Sequence, residues 1–266
     1  MFTGFNMQLN APEKESLHDY EAEGEKLFQT QQKQICKTLN EYVNPDGSLS
    51  ATEIESDWFE HINVNVFLSH SHADEKAVKA LAAFLRKHYG IECFIDSCVW
   101  GYAEDLLKEI DEKYCKFPKE DGSCWYDYDK RNQSTSHVHM LLNGALAKMI
   151  ADTECLIFVN TPNSIAAKDS KDKAKTGSPW IYSELLMATK FPHRSWASYR
   201  KVLSHSLQLD EKALEFAQDL KVEYDAPIEK LYELSFSDLQ LDKLQIKEGK
   251  DPLNTLDTLY RNKGII

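Results

Sequence analysis

The stretch "NVFLSHSHADEK", residues 65–76, joins two patterns that decide the fold. Residues 64–68, "VNVFL", are a short and mostly apolar run, which predicts a buried strand. Residues 74–88 then follow a helical period, and Gly90 is a typical residue to end a helix. Four positions share one face of that helix: Val78, Leu81, Leu85 and His88. A strand that leads directly into a helix predicts the first half of a βαβ unit.

The same alternation of strands and helices continues towards the C-terminus. Residues 138–151 predict another helix, and Ser178 followed by Pro179 is well suited to start a third. Further strands are predicted at four segments, the last two more weakly: residues 91–96, 155–160, 221–227 and 232–236. Strands that alternate with helices form parallel sheets through right-handed crossovers. We therefore expect a flavodoxin-like, doubly wound α/β fold with about five parallel strands.

The pattern predicts two parts, an N-terminal helical extension (residues 1–61) and an α/β domain (residues 62–266). Within the extension, apolar positions of residues 13–43 form one helical stripe. Two long polar insertions interrupt the α/β domain at residues 97–137 and 161–178. Each follows the carboxyl end of a predicted strand, which is the edge where such sheets bind ligands. We expect both insertions to be loops over a ligand-binding cleft.

Composition limits the classes of function. The chain of 266 residues has a formal net charge of -12, which argues against a nucleic-acid binder that relies on bulk attraction to phosphates. Its hydrophobic fraction of 42% is enough for a substantial core. We find no apolar run of about 20 residues and no secretory leader, so we expect no membrane association. The six scattered cysteines contain no CxxC pair, and we expect a reduced, cytoplasmic protein.

Two alternating histidines and an aspartate follow the first predicted strand: His70, His72 and Asp74. One interpretation is a metal site like that of the metallo-β-lactamase type of hydrolase. Such a site needs a histidine where Glu75 stands, and the later predicted strands end without histidine ligands. Another interpretation is a polar helix start at Ser71 and Asp74. We predict no metal, and a metallohydrolase stays the weakest of the functional alternatives.

Four segments taken together indicate a family more specifically than the two histidines and the aspartate do. They are "NVFLSHSHAD", "CFIDSCVWGYAEDLLKEI", "LIFVNT" and "SPWIYSEL". In this combination the chain resembles a Toll/interleukin-1 receptor (TIR) domain of the bacterial kind. The family has a serine, tryptophan and glutamate after its third strand, and here these are Ser178, Trp180 and Glu184. This element is the most specific part of the resemblance, which covers most of residues 62–266.

The resemblance implies either an enzyme or a scaffold. As an enzyme the chain would be an NAD+ glycohydrolase that cleaves the nicotinamide–ribose bond, with ADP-ribose or a cyclic isomer as product, in antiphage immunity. It would need no cofactor, because NAD+ is the substrate. Glu184 would be catalytic, since a carboxylate stabilises the oxocarbenium-like charge that develops on ribose. The alternative is a non-catalytic adaptor that acts by self-association. Either version implies self-association and a partner effector protein or signalling module.

The expected substrate contacts lie at the predicted strand ends. Backbone N–H groups near Asp74 can meet a phosphate at the start of a helix. Trp100 and Tyr102 follow the second predicted strand and can stack on a base or on the nicotinamide ring. The full set of expected substrate-binding residues is Ser69, His70, Ser71, Asp96, Trp100, Tyr102, Ser178 and Trp180.

Overall fold

The fold is seen in a computed structural model, whose elements are numbered here in chain order. The structure describes residues 1–31, 38–100, 103–120, 122–166, 174–200, 224–240, 244 and 251–266. The strands in these residues are β1 (Thr3–Gln8), β2 (Val66–Ser69), β3 (Cys93–Phe94), β4 (Lys116–Pro118), β5 (Cys124–Tyr126), β6 (Cys155–Asn160), β7 (Lys175–Thr176), β8 (Tyr224–Asp225) and β9 (Tyr232–Leu234). The helices are α1 (Ala11–Ser16), α2 (Glu21–Gln31), α3 (Ala51–Trp58), α4 (Glu75–Tyr89), α5 (Asp96–Val99), α6 (Ala103–Ile110), α7 (Tyr128–Asp152), α8 (Pro179–Lys190) and α9 (Pro252–Asn262).

A five-stranded parallel sheet with the order β3-β2-β6-β1-β9 forms the centre of the fold. Helices flank it, so the predicted flavodoxin-like α/β fold is confirmed. The flavodoxin-like order is 2-1-3-4-5. The sheet has this order when β2, β3 and β6 are taken as its first three strands and β9 as its fifth. The N-terminal strand β1 then occupies the place of the fourth strand.

The N-terminal segment differs from the expected helical extension. Helices α1, α2 and α3 do lie within residues 1–61, but β1 pairs along its whole length with β6, from Thr3 opposite Cys155 to Gln8 opposite Asn160. The prediction that residues 1–61 form a helical extension is therefore wrong for β1, because this strand belongs to the sheet. Its side chains alternate between apolar and polar, and burial of Phe5 and Met7 on the core side provides the reason for its place.

Helices α2 and α4 pack directly on each other. A Cβ atom at Gly24 would collide with the backbone carbonyl of Lys79, so glycine permits this close approach. The apolar face predicted for α4 is buried through Val78, Leu81 and Leu85. Gly90 ends α4 with a φ of 69°, as the sequence predicts.

The insertion at residues 97–137 is mostly regular structure rather than a loop. It contains α6, a π-helical turn over Asp111–Cys115, and the antiparallel hairpin of β4 and β5. Helix α7 begins at Tyr128, ten residues before the predicted start, because Asp127 caps it by accepting a hydrogen bond from the Lys130 N–H. The expectation of a long loop over the cleft is therefore wrong for this segment.

Two other predictions concern the strand at residues 221–227 and the loop at residues 161–178. Of residues 221–227, only β8 is a described strand, and it pairs antiparallel with β7 outside the main sheet. Of the insertion at residues 161–178, residues 167–173 lie outside the described residues. No helix in the described part of the chain has the length and apolar character needed to cross a bilayer.

Candidate active site

The order of the sheet reverses at β2, because the chain goes from β2 outwards to β3, and the next strand of the main sheet, β6, lies on the other side of β2. Open α/β sheets bind ligands in the crevice beyond the carboxyl ends of the strands at such a point. Ser69 ends β2, Asp96 follows β3, and Asn160 ends β6. Four of the residues expected from the sequence meet at this place: Ser69, His70, Asp96 and Glu184.

Glu184 enters this place from α8. Ser178 caps that helix by accepting the Ile181 N–H at 3.2 Å, and Pro179 occupies its first turn. The Glu184 side chain is buried, with only 2% of the residue exposed. The Ser69 hydroxyl donates a hydrogen bond to Glu184 Oε2 at 2.5 Å. The sequence element that contains Glu184 thus reaches the end of the first predicted strand.

Burial raises the pKa of Glu184 well above its ordinary value, and the negative charge of Asp96 raises it further. The hydrogen bond from Ser69 lowers this pKa, but its effect is smaller. Glu184 therefore holds a proton more readily than an ordinary glutamate does. No described lysine or arginine pairs with it.

His70 lies next to this carboxyl pair. It is 8% exposed, and its Nε2 is 3.4 Å from the Ser97 hydroxyl. Its Nδ1 is buried and makes no hydrogen bond with the described residues. Burial lowers the pKa of His70 and His72 adds to this, although Asp96, Glu75 and the Leu68 backbone act in the opposite direction. The ring is therefore neutral at neutral pH.

Trp100 packs within the core in this structure. Its ring is 4% exposed and contacts Phe94 and Phe59 at centroid distances of 4.7 and 5.8 Å. Its Nε1 donates to the Glu60 carbonyl at 3.2 Å. The ring contacts and the polar atom of Trp100 thus lie within the core, and its stacking on a ligand stays a prediction. Tyr102 lies outside the described residues.

Trp180 lies one helical turn from Glu184, nearer to the ligand edge of the sheet. It is half-buried, and the His139 ring on α7 meets it edge-on at a centroid distance of 5.4 Å and an angle of 86°. His139 is a neighbour that the sequence analysis missed, because only the packing of α7 on α8 brings it near. Ser178 is occupied as the cap of α8, and Ser71 precedes the short turn His72–Asp74 without a capping side-chain bond.

The Asp74 side chain does not cap α4. Its buried carboxylate accepts hydrogen bonds from Lys14 Nζ at 2.6 Å, Thr161 Oγ1 at 2.5 Å and Asn163 Nδ2 at 3.1 Å. Burial alone would raise the pKa of Asp74, but these three bonds outweigh it and hold this pKa below its ordinary value. Asp74 therefore joins α1 to the loops after β2 and β6. Within the described residues no group of three or more His, Cys, Asp or Glu could hold a metal ion.

Comparison with known proteins adds no relative to this picture. No family model matches the chain, and neither the curated proteins nor the solved structures contain a match.

Among the residues that the structure describes, the charged group that acts on Glu184 is acidic rather than basic. Asp96 contributes negative charge, and Glu75 lies in the first turn of α4. The nearby lysines are engaged elsewhere, since Lys14 pairs with Asp74 and Lys79 pairs with Glu75 at 2.8 Å. Such surroundings favour a cationic ligand group over a phosphate. They count against the phosphate contact expected at the start of α4.

Proposed function

We propose that the chain is a TIR-type NAD+ glycohydrolase that cleaves the bond between nicotinamide and ribose. The observation that carries this proposal is the buried carboxyl of Glu184, hydrogen-bonded to Ser69 at the point where the order of the sheet reverses. Perturbed carboxyl groups in such places are typical of catalytic sites. The tryptophan and serine of the same sequence element, Trp180 and Ser178, lie on the first turn of α8 and at its cap.

The chemistry follows from the charge of the substrate. The nicotinamide ring of NAD+ is a cation, and an adjacent cation favours the ionised form of a carboxyl group. A bound nicotinamide cation therefore lowers the pKa of Glu184 and favours its carboxylate form. When the C–N bond breaks, nicotinamide leaves as a neutral molecule with the electron pair of that bond, and positive charge develops on the ribose. Glu184 stabilises this charge, which is the interaction that lowers the barrier.

The reaction ends when a nucleophile adds to the ribose carbon. Water gives ADP-ribose after it loses a proton, and a nucleophilic atom of the same molecule gives a cyclic isomer. No acid is needed to expel nicotinamide, because it leaves uncharged. One carboxylate is therefore sufficient, in contrast to the pair that glycosidases use.

The biological setting that goes with this proposal is antiphage immunity in bacteria. Self-association through TIR surfaces would bring neighbouring copies together and complete the site. A partner effector protein or signalling module would receive the product or the assembled state.

One observation favours the second candidate, a non-catalytic adaptor. Glu184 is 2% exposed, so a substrate reaches it only after the residues that cover it move. An adaptor would need no such movement, and the bond between Ser69 and Glu184 would then serve only to join α8 to the sheet.

A turnover experiment separates the two candidates. The purified full chain is incubated with NAD+ at concentrations that drive assembly, and nicotinamide, ADP-ribose and cyclic isomers are resolved by mass. We expect nicotinamide release from the wild type and a loss of about 10²- to 10³-fold in Glu184→Gln, which removes one preorganised electrostatic group. Glu229→Gln, the same substitution at an exposed residue of the turn Ile228–Lys230, is the matched control. An assembled wild type that never releases nicotinamide would favour the adaptor.

A further inference from the structure

Ser97, the second residue of α5, has a hydroxyl group that lies beside two proton acceptors. Its Oγ is 3.4 Å from His70 Nε2 and 3.4 Å from Glu75 Oε2. The residue is half-buried, so part of its surface is open to a ligand. A hydroxyl group next to a base is the arrangement that makes serine a nucleophile, and such contacts are often long when no substrate is bound.

The end of β2 connects this hydroxyl group to the candidate active site. Ser69, the last residue of that strand, donates its hydrogen bond to Glu184. The next residue in the chain, His70, contacts Ser97. Asp96, directly before Ser97, acts by its charge on both Glu184 and His70. Ser97 therefore lies at the same edge of the sheet as the carboxyl group to which we assign the cleavage of NAD+.

We infer that Ser97 is a self-modification site that accepts the ADP-ribosyl group of NAD+, with His70 as the base. This inference rests on the proposed function, which supplies the reactive ribose. The bond between ribose C1′ and the nicotinamide nitrogen breaks, and its electron pair leaves with neutral nicotinamide. A lone pair of Ser97 Oγ forms the new bond to C1′, and the hydroxyl proton passes to His70 Nε2. The product is an O-glycosidic bond between the serine and ADP-ribose, and no further reactant is needed.

His70 is better suited than Glu75 to take this proton. Burial lowers the pKa of His70, so its ring is neutral at neutral pH and one of its two nitrogens can accept a proton. The Glu75 carboxylate is already paired with Lys79, whose Nζ lies 2.8 Å from Glu75 Oε1. A neighbouring cation makes a carboxylate a weaker base. We therefore assign the proton of the Ser97 hydroxyl group to His70.

Cys98 is a second nucleophile close to this point, but it is not suited to the reaction. Its Sγ lies 3.8 Å from Ser97 Oγ, and only 6% of the residue is exposed. Burial raises the pKa of Cys98 to about 12, so the thiol keeps its proton at neutral pH. The thiolate is the nucleophilic form of cysteine. We therefore expect the modification on the hydroxyl group of Ser97.

The test measures modification and turnover in the same sample. The full chain is incubated with NAD+ at concentrations that drive assembly, nicotinamide is quantified, and peptides are mapped by mass spectrometry after treatment with hydroxylamine. Hydroxylamine cleaves the esters that ADP-ribose forms with carboxyl groups, but it leaves the bond to a serine intact. We expect a mass gain of one ADP-ribosyl group at Ser97. Incubation with ADP-ribose instead of NAD+ should give none, because ADP-ribose lacks the nicotinamide leaving group.

Variants of the three contacting residues separate their roles. The measured quantity is the modification per nicotinamide released, so a difference in turnover does not enter the comparison. Ser97→Ala should leave the peptide unmodified, and Ser97→Thr, which keeps a hydroxyl group, should restore the modification. His70→Gln should lower the ratio about 10²-fold, the effect of losing a general base. Glu75→Gln is the matched control and should leave the ratio unchanged. A wild-type ratio in His70→Gln, or modification of Cys98 in Ser97→Ala, would overturn the inference.

Failure of this inference is distinguishable from failure of the proposed function. Nicotinamide release without modification of Ser97 would remove the acceptor and leave the glycohydrolase standing. If the assembled wild type releases no nicotinamide, the glycohydrolase is wrong and the acceptor is wrong with it. Modification of Ser97 by ADP-ribose alone would mean a reaction without cleavage of NAD+, and it would also overturn the inference.

Discussion

Ser69 at the end of β2 donates a hydrogen bond of 2.5 Å to Glu184 on α8, although 115 residues separate them in the chain. Both residues are buried, and the bond joins a strand end to the helix that packs beside it. Because Ser69 is the only described hydrogen-bond partner of the Glu184 carboxyl, this contact orients that carboxyl, and it lowers a pKa that burial and Asp96 raise more strongly. The first two predictions concern these properties.

Ser69→Ala should lower the free energy of unfolding by about 1 to 3 kcal/mol, because it leaves a buried carboxyl without its partner. It should also raise the pKa of Glu184 further, since the lost hydrogen bond lowers that pKa in the wild type. Urea denaturation measures the first effect. The rate of nicotinamide release as a function of pH measures the second, and its rising limb should move to higher pH. An unmoved limb would mean that Ser69 does not affect the reacting carboxyl.

Glu184→Gln should change how stability depends on pH. The pKa of Glu184 is higher in the folded chain than its ordinary value of 4.5, so its contribution is complete below pH 4.5 and decreases as the pH rises towards the folded value. Glutamine does not ionise. The stability of the variant relative to wild type should therefore increase by up to about 1.4 kcal/mol per pH unit above pH 4.5. Urea denaturation between pH 4 and 8 tests this, and parallel curves for both proteins would contradict burial of an ionisable Glu184.

Much of the sheet is predictable from sequence because its strands are apolar runs. β6 is apolar for five residues, and its burial on both faces agrees with that pattern. β1, "TGFNMQ", escapes prediction because glycine and polar residues interrupt its apolar positions. Its pairing with β6 and β9, two strands distant in sequence, and the burial of Phe5 and Met7 stabilise it there. A local sequence pattern does not predict which distant strands a segment will pair with.

The residues of the candidate site also differ in how well the sequence predicts their positions. Ser69, Asp96 and Glu184 meet because each follows or accompanies a recognisable element. Trp100 was assigned to the ligand because it follows a strand, yet the chain folds back and packs it on Phe94. Tertiary packing decides which side of such a turn a ring occupies, and the sequence contains no local signal for it.

Asp74→Ala should lower the free energy of unfolding by about 3 kcal/mol, because it removes the acceptor of three hydrogen bonds and the partner of Lys14. This exceeds the loss of about 1 kcal/mol or less for a charge that only favours a helix start. Because the pKa of Asp74 lies below its ordinary 3.8, its contribution is present above pH 3.8 and is lost as the pH falls further. Glu75→Gln, one residue along, is the control and should cost less than about 1 kcal/mol. If both variants lost the same free energy of unfolding, Asp74 would contribute only as a charge at the start of a helix.

The two tryptophans near the site should respond differently to truncation. Trp100→Ala should lower the free energy of unfolding by about 3 to 5 kcal/mol, because it empties a packed space beside Phe94 and Phe59. Trp180 is half-buried and keeps one side away from His139, so its loss should cost less stability. If Trp180 forms a wall of the nicotinamide site, Trp180→Ala should raise the KM for NAD+ about fivefold.

Denaturation and kinetics on the same samples distinguish a structural role of Trp180 in the core from a role in binding NAD+. Trp180→Phe keeps an aromatic face and should restore most of the affinity for NAD+, which a purely structural role would not require. A Trp180→Ala protein with wild-type KM but reduced stability would place Trp180 in the core with Trp100. The wall of the site would then have to come from other residues around Glu184.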